Sequence, residues 1–320
     1  MREKSAWILR CCLEKFDEMT EQATLRSRYD ELDISVVVVR PEGEARAVLQ
    51  LAHGMSGCKE RFMPFMEFMA AHGVVCVAND HRGHGGSVKS VKDLGYMYDG
   101  GWKALIDDMR GVTEAIADEY PGVPLFLLGH SMGSLAARVY AKEDDSSLDG
   151  LIICGSPGYT PLASFGYFIS KALNFMGSGR WRPQLTHRLT NDIYNYGFDG
   201  EGPMAWICSD PQVRKDYIDN PRLGFRFTVN ANMVLMRLLM MAYSSEPGAR
   251  VNRSLPVLFL SGEDDPCTGG SYGLDKATAA MHEAGYDDIR AKTYPAMRHE
   301  VLNEIGKERV WQDVLDFMGL

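Results

Sequence analysis

The sequence predicts an α/β protein in which helices flank a mostly parallel sheet and a helical cap is inserted between two strands. Strand and helix patterns alternate over residues 47–154, as they do when helical crossovers join parallel strands. Over residues 158–252 the strand pattern stops, and only helical segments rich in aromatic and apolar residues are found. We therefore expect a core of residues 1–157 and 253–320 and a cap of residues 158–252.

The composition excludes several classes of protein. The chain has 320 residues, 45% of them hydrophobic and 24% charged, which is typical of a globular protein. A net charge of -9 disfavours nucleic acid as a partner. No apolar stretch approaches the ~18 residues of a transmembrane helix, and Arg10 interrupts the first apolar run, so we expect no signal peptide. The seven cysteines show neither a disulfide framework nor metal-ligand spacing, which predicts a reducing cytoplasm.

Two features precede the alternating region. Residues 5–25 carry an amphipathic helical pattern, which predicts a short helix in an N-terminal extension of about residues 1–25, on the outside of the fold. Residues 34–39 and 47–52 are β-branched or apolar runs, separated by a turn signal that begins at Pro41. We expect these two runs to form an antiparallel hairpin.

The remaining elements follow from hydrophobic periodicity. Further strands are predicted at 74–78, 125–128, 148–154, 256–260 and 289–294. Helices of the core are predicted at 61–71, 104–120, 134–141, 271–284 and 310–318. Helical segments of the cap are predicted at 162–176, 193–196 and 232–243.

The segment Gly129-His130-Ser131-Met132-Gly133 lies between a predicted buried strand and a predicted helix. In this G-x-S-x-G pattern the chain reverses within about one residue, so Ser131 sits on a strained turn above the sheet edge. Gly129 and Gly133 leave room where a side chain would collide with the neighbouring strand and helix. The positive end of the helix faces the place where an oxyanion would form. We predict that Ser131 is a nucleophile.

A serine nucleophile needs a histidine base, and the base needs an orienting carboxylate. The chain order after such a turn is serine, acid, histidine. Two histidines follow both the serine and a strand-end acid: His282 lies in a helical run, whereas His299 lies in a loop after a strand and is the predicted base. The loop after the preceding strand holds three acids, Glu263, Asp264 and Asp265. We choose Asp265, because Pro266 fixes the backbone just beyond it, and we place Asp264 second.

A second loop directly follows a strand, at residues 53–57. Its backbone N–H groups can point at the mouth of the site. We predict that the amides of Met55 and Met132 form a two-donor oxyanion hole.

The loop 79–87 holds His81 and His84 close to an aspartate, which raises the alternative of a metal site. Its glycine-rich sequence lacks acidic or cysteine ligands at metal-binding spacing. We therefore predict no metal and no cofactor.

The cap segment at 232–243 is rich in methionine, including Met233, Met236 and Met240. Methionine fills irregular apolar space and adapts to varied ligands. Two interpretations stay open: the segment is an ordinary helical core, or its methionines line an apolar substrate pocket over Ser131.

Five segments together resemble a known family. They are HGMSGCKERF at 53–62, NDHRGHGGS at 79–87, GHSMGS at 129–134, SGEDDPC at 261–267 and YPAMRHEVLNE at 294–304. This set is similar to the monoacylglycerol lipase and lysophospholipase branch of the α/β-hydrolases, often grouped with serine aminopeptidases (S33). The resemblance implies an α/β-hydrolase fold, supports Asp265, Met55 and Met132 in the roles given above, and makes the loop 79–87 structural. It does not include the helix before residue 20, and the cap departs most from the better-known lipases.

These observations predict a serine hydrolase that cleaves carboxylic esters with lipid-like acyl chains through an acyl-serine intermediate. The expected partner is a small-molecule or lipid ester substrate. One alternative is a peptidase or amidase of the same fold, which would need an acidic site for a free α-amino group. Another is a lipid-binding protein that keeps the fold without the chemistry.

Overall fold

The computed structural model describes residues 19–245 and 252–320. Eight strands form one sheet in the order β1-β2-β4-β3-β5-β6-β7-β8. The strands are β1 Thr20–Arg26, β2 Asp33–Val39, β3 Ala47–Ala52, β4 Val74–Asn79, β5 Leu125–His130, β6 Gly150–Cys154, β7 Val257–Gly262 and β8 Ile289–Tyr294. The six strands β4-β3-β5-β6-β7-β8 are all parallel to one another. At the other edge, β1 pairs antiparallel with β2, and β2 pairs antiparallel with β4. The predicted mostly parallel sheet is confirmed.

Helices cover both faces of this sheet. They are α1 Met63–Ala71, α2 Gly101–Glu119, α3 Met132–Glu143, α4 Leu162–Leu173, α5 Gln184–Thr190, α6 Pro211–Asp219, α7 Val229–Ala242, α8 Gly270–Glu283 and α9 Glu308–Phe317. One face packs against α2, α3 and α8, and the other packs against α1 and α9. Because both faces are covered, every residue of the central strands is buried, which explains their continuous apolar sequences. No helix among the described residues has the length and apolar character needed to cross a bilayer.

The predicted hairpin of residues 34–39 and 47–52 is wrong. The strand β4 lies between them, antiparallel to β2 and parallel to β3. The physical reason is that β3, α1 and β4 form a parallel crossover, which places β4 beside β3. The antiparallel partner that β2 has earlier in the chain is β1.

The predicted helix at residues 5–25 is wrong at its C-terminal end, where residues 20–26 form β1. Ala23 and Leu25 are buried and alternate with more exposed neighbours, which is the period of a strand. Residues 5–18 of that prediction lie outside the described part of the chain.

The helices α4 to α7 all lie between β6 and β7 in sequence. No strand occurs in the described residues of this insertion. The last of its helices, α7, packs against α2, α3 and α4.

Two buried cations of α3 tie it to the C-terminal end of α7. The Lys142 ammonium donates to the carbonyls of Met241, Ala242 and Ser244 at 3.2, 2.9 and 2.7 Å. The Arg138 guanidinium donates to the Ala242 carbonyl at 2.7 Å. Cations stabilise the unsatisfied carbonyls at a helix C-terminus, so this end of α7 is fixed to the core.

Candidate active site

Ser131 is the single residue between the end of β5 and the start of α3. Its φ and ψ angles are 54° and -120°, a strained conformation for a residue with a side chain. The turn is held by the backbone: the Ser131 N–H donates to the Cys154 carbonyl at 3.0 Å, and the Ser134 N–H donates to the Ser131 carbonyl at 2.9 Å. The structure therefore has the sharp turn at Ser131 that the G-x-S-x-G pattern predicts.

The glycines around Ser131 allow this turn through close backbone contacts. A Cβ atom at Gly129 would collide with the carbonyl oxygen of Gly133 in α3. A Cβ atom at Gly133 would collide with the carbonyl oxygen of Ala52 at the end of β3. Only glycine fits at either position, because the obstacle is backbone that cannot turn aside.

His299 and Asp265 are joined by a hydrogen bond. The distance from His299 Nδ1 to Asp265 Oδ2 is 2.9 Å, and both side chains are buried. Thr268 donates its hydroxyl to Asp265 Oδ2 at 2.7 Å, and the Cys267 N–H donates to Oδ1 at 2.8 Å. Burial opposes ionisation of Asp265, but His299 and these donors outweigh it and lower the pKa of the carboxyl group.

The other candidates for acid and base lie elsewhere. Glu263 and Asp264 are exposed, although they neighbour Asp265 in sequence. His282 lies in α8, and its Nδ1 is hydrogen bonded to the Tyr286 carbonyl at 2.9 Å. The structure therefore pairs His299 with Asp265, and not with Glu263 or Asp264.

Ser131 and His299 line one cavity of about 690 Å³. Met55 and Met132 line it too, each next to the nucleophile: Met132 is the first residue of α3, and a Cβ atom at Gly54 would lie 2.9 Å from the Ser131 Cβ. The Met132 N–H, at the first position of a helix, has no intrahelical acceptor. The two methionines therefore border the same side of the cavity as Ser131, and the oxyanion hole of their amides stays a prediction.

Two buried histidines hold the loop that carries Met55. Ser56, with a φ of 53°, donates its N–H to His84 Nε2 at 3.3 Å. His53 Nδ1 donates to the Gly54 carbonyl at 2.8 Å, and His53 Nε2 accepts the His81 N–H at 2.9 Å. These contacts were not predicted from the sequence. The only sequence feature that could have indicated them is the close spacing of glycine and histidine in the loops 53–57 and 79–87.

The loop 79–87 contains no metal-binding arrangement. Within the described residues, no group of three or more histidine, cysteine or acidic side chains could hold a metal ion. The rings of His53 and His81 pack with centroids 4.3 Å apart, and those of His53 and His84 with centroids 5.0 Å apart. Asp80 is occupied by Lys59, whose ammonium lies 2.9 Å from its Oδ2.

The cavity wall is mostly apolar and comes largely from the insertion. From α4 it includes Leu162, Phe165, Gly166 and Ile169, and from α7 it includes Asn232, Leu235, Met236 and Leu239. Of the three predicted cap methionines, Met236 is in this wall, whereas Met233 and Met240 are not. With 3.6 residues per turn, Met233 and Met240 lie about a quarter of a turn away from the middle of the wall-forming face.

A partly buried ion pair lies in the cavity wall next to His299. Arg61 donates from Nε to Glu300 Oε1 at 3.1 Å, and both residues line the cavity next to His299. Burial raises the pKa of Glu300, but the Arg61 charge outweighs it, so the pKa of this carboxyl group is lowered. Nothing in the sequence predicted this pair, although both residues lie in segments that carry the family resemblance.

The family described as serine aminopeptidase, S33, matches residues 43–306, which is most of the chain. The chain belongs to the serine aminopeptidase S33 family. This confirms the family predicted from the sequence. All of the site residues described above lie inside the matched range.

Named relatives of this S33 member include lipases. The chain is 24% identical over 284 residues to the monoacylglycerol lipase of Mycolicibacterium smegmatis, covering 87% of this chain and 90% of that protein. It is 24% identical over 285 residues to the monoglyceride lipase of Mus musculus, covering 83% of each.

Solved structures show the same fold. A thermostable carboxyl esterase from Bacillus coagulans, in complex with glycerol, matches with a TM-score of 0.84 at 24% identity, covering 95% of this chain and 99% of that one. A soluble variant of monoglyceride lipase from Saccharomyces cerevisiae, with a substrate analogue, matches with a TM-score of 0.72 at 18% identity, covering 95% and 97%. The predicted α/β-hydrolase fold is confirmed.

We expect Gly133→Ala to lower the free energy of unfolding by roughly 3 kcal/mol or more, because the new methyl group meets the Ala52 carbonyl. Gly43→Ala is the matched control, since a Cβ atom there has no neighbour within 4 Å. Urea unfolding followed by circular dichroism measures both changes. Equal stability of the two variants would contradict the close contact between α3 and β3.

We expect the protein to lose stability as the pH falls from about 6.5 towards 4. Burial, and for His130 also the neighbouring His299, lower the pKa of His84 and of His130 to about 4. Below about 6.5 the unfolded chain binds protons that these folded histidines do not, so each one lowers the free energy of unfolding by ~1.4 kcal/mol per pH unit.

Urea midpoints measured between pH 7.5 and 4.5 test this expectation. His130→Gln should flatten the pH dependence, whereas His72→Gln, at an exposed position, should leave it unchanged. A stability that does not change over this range would show that the buried histidines do not carry the effect.

Proposed function

We propose that this protein is a serine hydrolase that cleaves carboxylic esters with lipid-like acyl chains. The observation that carries the proposal is a strained serine that shares an apolar cavity with a histidine bonded to a buried aspartate. In this proposal Ser131 is the nucleophile, His299 the base and Asp265 the orienting acid.

The chemistry follows from the hydrogen bonds. His299 donates its Nδ1–H to Asp265, which leaves Nε2 to take the proton from Ser131 as the serine oxygen attacks the ester carbonyl. The amides of Met55 and Met132 stabilise the oxyanion. Protonated His299 then gives its proton to the departing alcohol, and water releases the acyl group from Ser131 by the reverse sequence.

The cavity supports an apolar acyl chain. Its volume is in the usual range for a ligand pocket, and its wall is mostly hydrophobic. Six of its apolar lining residues are also exposed, so the way into it is apolar as well: Leu162, Phe165, Ile169, Leu185, Leu189 and Ile193. The names of the relatives, monoacylglycerol lipase and probable lysophospholipase L2 of Haemophilus influenzae, favour a monoacylglycerol or a lysophospholipid as substrate.

We also propose that residues 158–252 act as the cap of this site, over a core of residues 1–157 and 253–320. The wall contributed by α4 and α7 supports this division. The five cysteines within the described residues are free and buried thiols, which supports the proposed cytoplasmic location.

A peptidase or amidase is the second candidate, because the family description names aminopeptidases. Recognition of a free α-amino group needs an unpaired carboxylate in the cavity. Among the described lining residues the acid is Glu300, and Arg61 already pairs with it. This pairing favours the ester reading, and a rate comparison between p-nitrophenyl esters and aminoacyl-anilides separates the two.

Ser131→Ala and Asp265→Asn should each reduce esterase kcat by about 10⁴-fold, since the nucleophile is lost in one and the histidine tautomer in the other. Asp264→Asn, at the exposed neighbouring position, should stay near the wild-type rate. A fluorophosphonate probe should label the wild type at Ser131 and not label Ser131→Ala.

Retained activity of Ser131→Ala would end the proposed mechanism. A folded wild-type protein that resists the probe and hydrolyses no ester would instead favour the lipid-binding alternative.

Met236→Ala should lower kcat/KM for a long p-nitrophenyl ester by roughly 10-fold relative to a short one, because it removes apolar contact with the acyl chain. Met240→Ala is the matched control on the same helix, outside the cavity wall. The kcat/KM ratio of laurate to butyrate ester measures the effect. Equal changes of this ratio in both variants would contradict an acyl pocket at this wall.

A further inference from the structure

The segment 201–209 of the insertion lies against the loop that carries His299. The Glu300 N–H donates to the Ile207 carbonyl at 2.8 Å, and the His299 N–H donates to the Trp206 carbonyl at 3.4 Å. These two bonds pair the backbone of the insertion with the backbone of the histidine loop. Trp206 and Ile207 are both buried, unlike the exposed apolar residues of α4 and α5.

Charged side chains fasten the same two segments outside the cavity. Arg298 donates from Nη1 to the Ala205 carbonyl at 2.6 Å and from Nη2 to both oxygens of Glu201 at 2.8 and 2.9 Å. The Glu304 carboxylate accepts the Ser209 N–H at 2.8 Å and the Arg298 N–H at 2.9 Å. The histidine loop is therefore bound to the insertion on both sides of His299.

The imidazole of His299 packs against two other rings. The centroid of the His299 ring lies 4.9 Å from that of the Trp206 ring and 4.8 Å from that of the His130 ring. His130 Nε2 also donates to the His299 carbonyl at 3.2 Å. Asp265 is hydrogen bonded to Nδ1 of this imidazole. The Trp206 ring packed against it restricts how far the imidazole can rotate about the hydrogen bond.

We propose that the segment 201–209 is a fixed part of the active site, and that Trp206 is a positioning residue that keeps His299 aligned with Ser131. The inference rests on the proposed function, in which His299 is the base. It divides the insertion into a part that holds the base, residues 201–209, and the outer helices α4 and α5 that cover the substrate.

Trp206→Ala should lower kcat for p-nitrophenyl butyrate by roughly 10- to 100-fold, because small misplacements of a catalytic group are costly. The KM for this short ester should change by less than about 3-fold, since it does not depend on the full cavity. Trp206→Phe keeps an aromatic ring at the position and should recover most of kcat. Trp181→Ala removes a tryptophan that is 56% exposed in the same insertion, and it should match the wild type.

A second variant tests the segment from outside the cavity. Glu201→Ala breaks the pair with Arg298, and it should lower kcat several-fold without changing the ratio of long-ester to short-ester KM. The downfield proton resonance of the His299–Asp265 hydrogen bond should broaden in Trp206→Ala and stay sharp in Trp206→Phe. Thermal unfolding confirms that each variant is folded.

Wild-type kcat in both Trp206→Ala and Glu201→Ala would overturn the inference. It would also be overturned if Trp206→Phe were as impaired as Trp206→Ala, or if the loss lay only in KM. If Trp206→Ala does not fold, Trp206→Phe and Glu201→Ala decide. These outcomes can be distinguished from failure of the proposed function, because in that case Ser131→Ala would keep its esterase activity.

Discussion

The arrangement of the site depends on how closely the start of α3 approaches the end of β3. The Ala52 carbonyl occupies the place of a Gly133 side chain, so α3 begins directly against the sheet. The chain then has one residue in which to turn from β5 into the helix, and Ser131 takes up the strain. The same contact brings Gly54, from the loop after β3, against the serine. One backbone contact thus positions both Ser131 and the loop that carries Met55.

Burial determines which protonation states are available around this contact. A neutral imidazole can accept a backbone N–H, but a protonated one cannot. His84 accepts from Ser56 and His53 accepts from His81, so both must be neutral for the loop that carries Met55 to keep its shape. Their low pKa values, which burial causes, are therefore a condition of the geometry. Asp265 is the opposite case, a buried group that its donors and His299 keep charged.

Local patterns in the sequence were enough to predict the sharp turn at Ser131 and the hydrogen bond between Asp265 and His299. The reason is that each lies at the end of a strand or in the loop that follows one, and parallel strands bring their carboxyl ends to one edge. The neighbours of each strand in the sheet were harder to predict. The turn signal at Pro41 indicates a change of direction, but it does not indicate which strand lies next in the sheet.

Side-chain direction and contacts between distant segments were beyond the sequence. The composition of α7 indicated methionine but not which methionines face the cavity, since that depends on how the helix is rotated against α4. The contacts of Trp206 with His299 join residues 93 positions apart through backbone carbonyls, as the neighbouring bond from Arg298 to Ala205 does. Every residue has a backbone carbonyl, so a hydrogen bond to one cannot be predicted from a pattern of residue types.

The anchoring of α7 by Lys142 and Arg138 has a consequence for protein engineering. This helix is fixed at its C-terminal end to the helix that follows the nucleophile. In contrast, α4 and α5 expose most of their apolar side chains. Substitutions at the exposed apolar positions of the outer pair should therefore alter the entrance of the cavity with little effect on the core, while α7 stays in place as the support on which α4 packs.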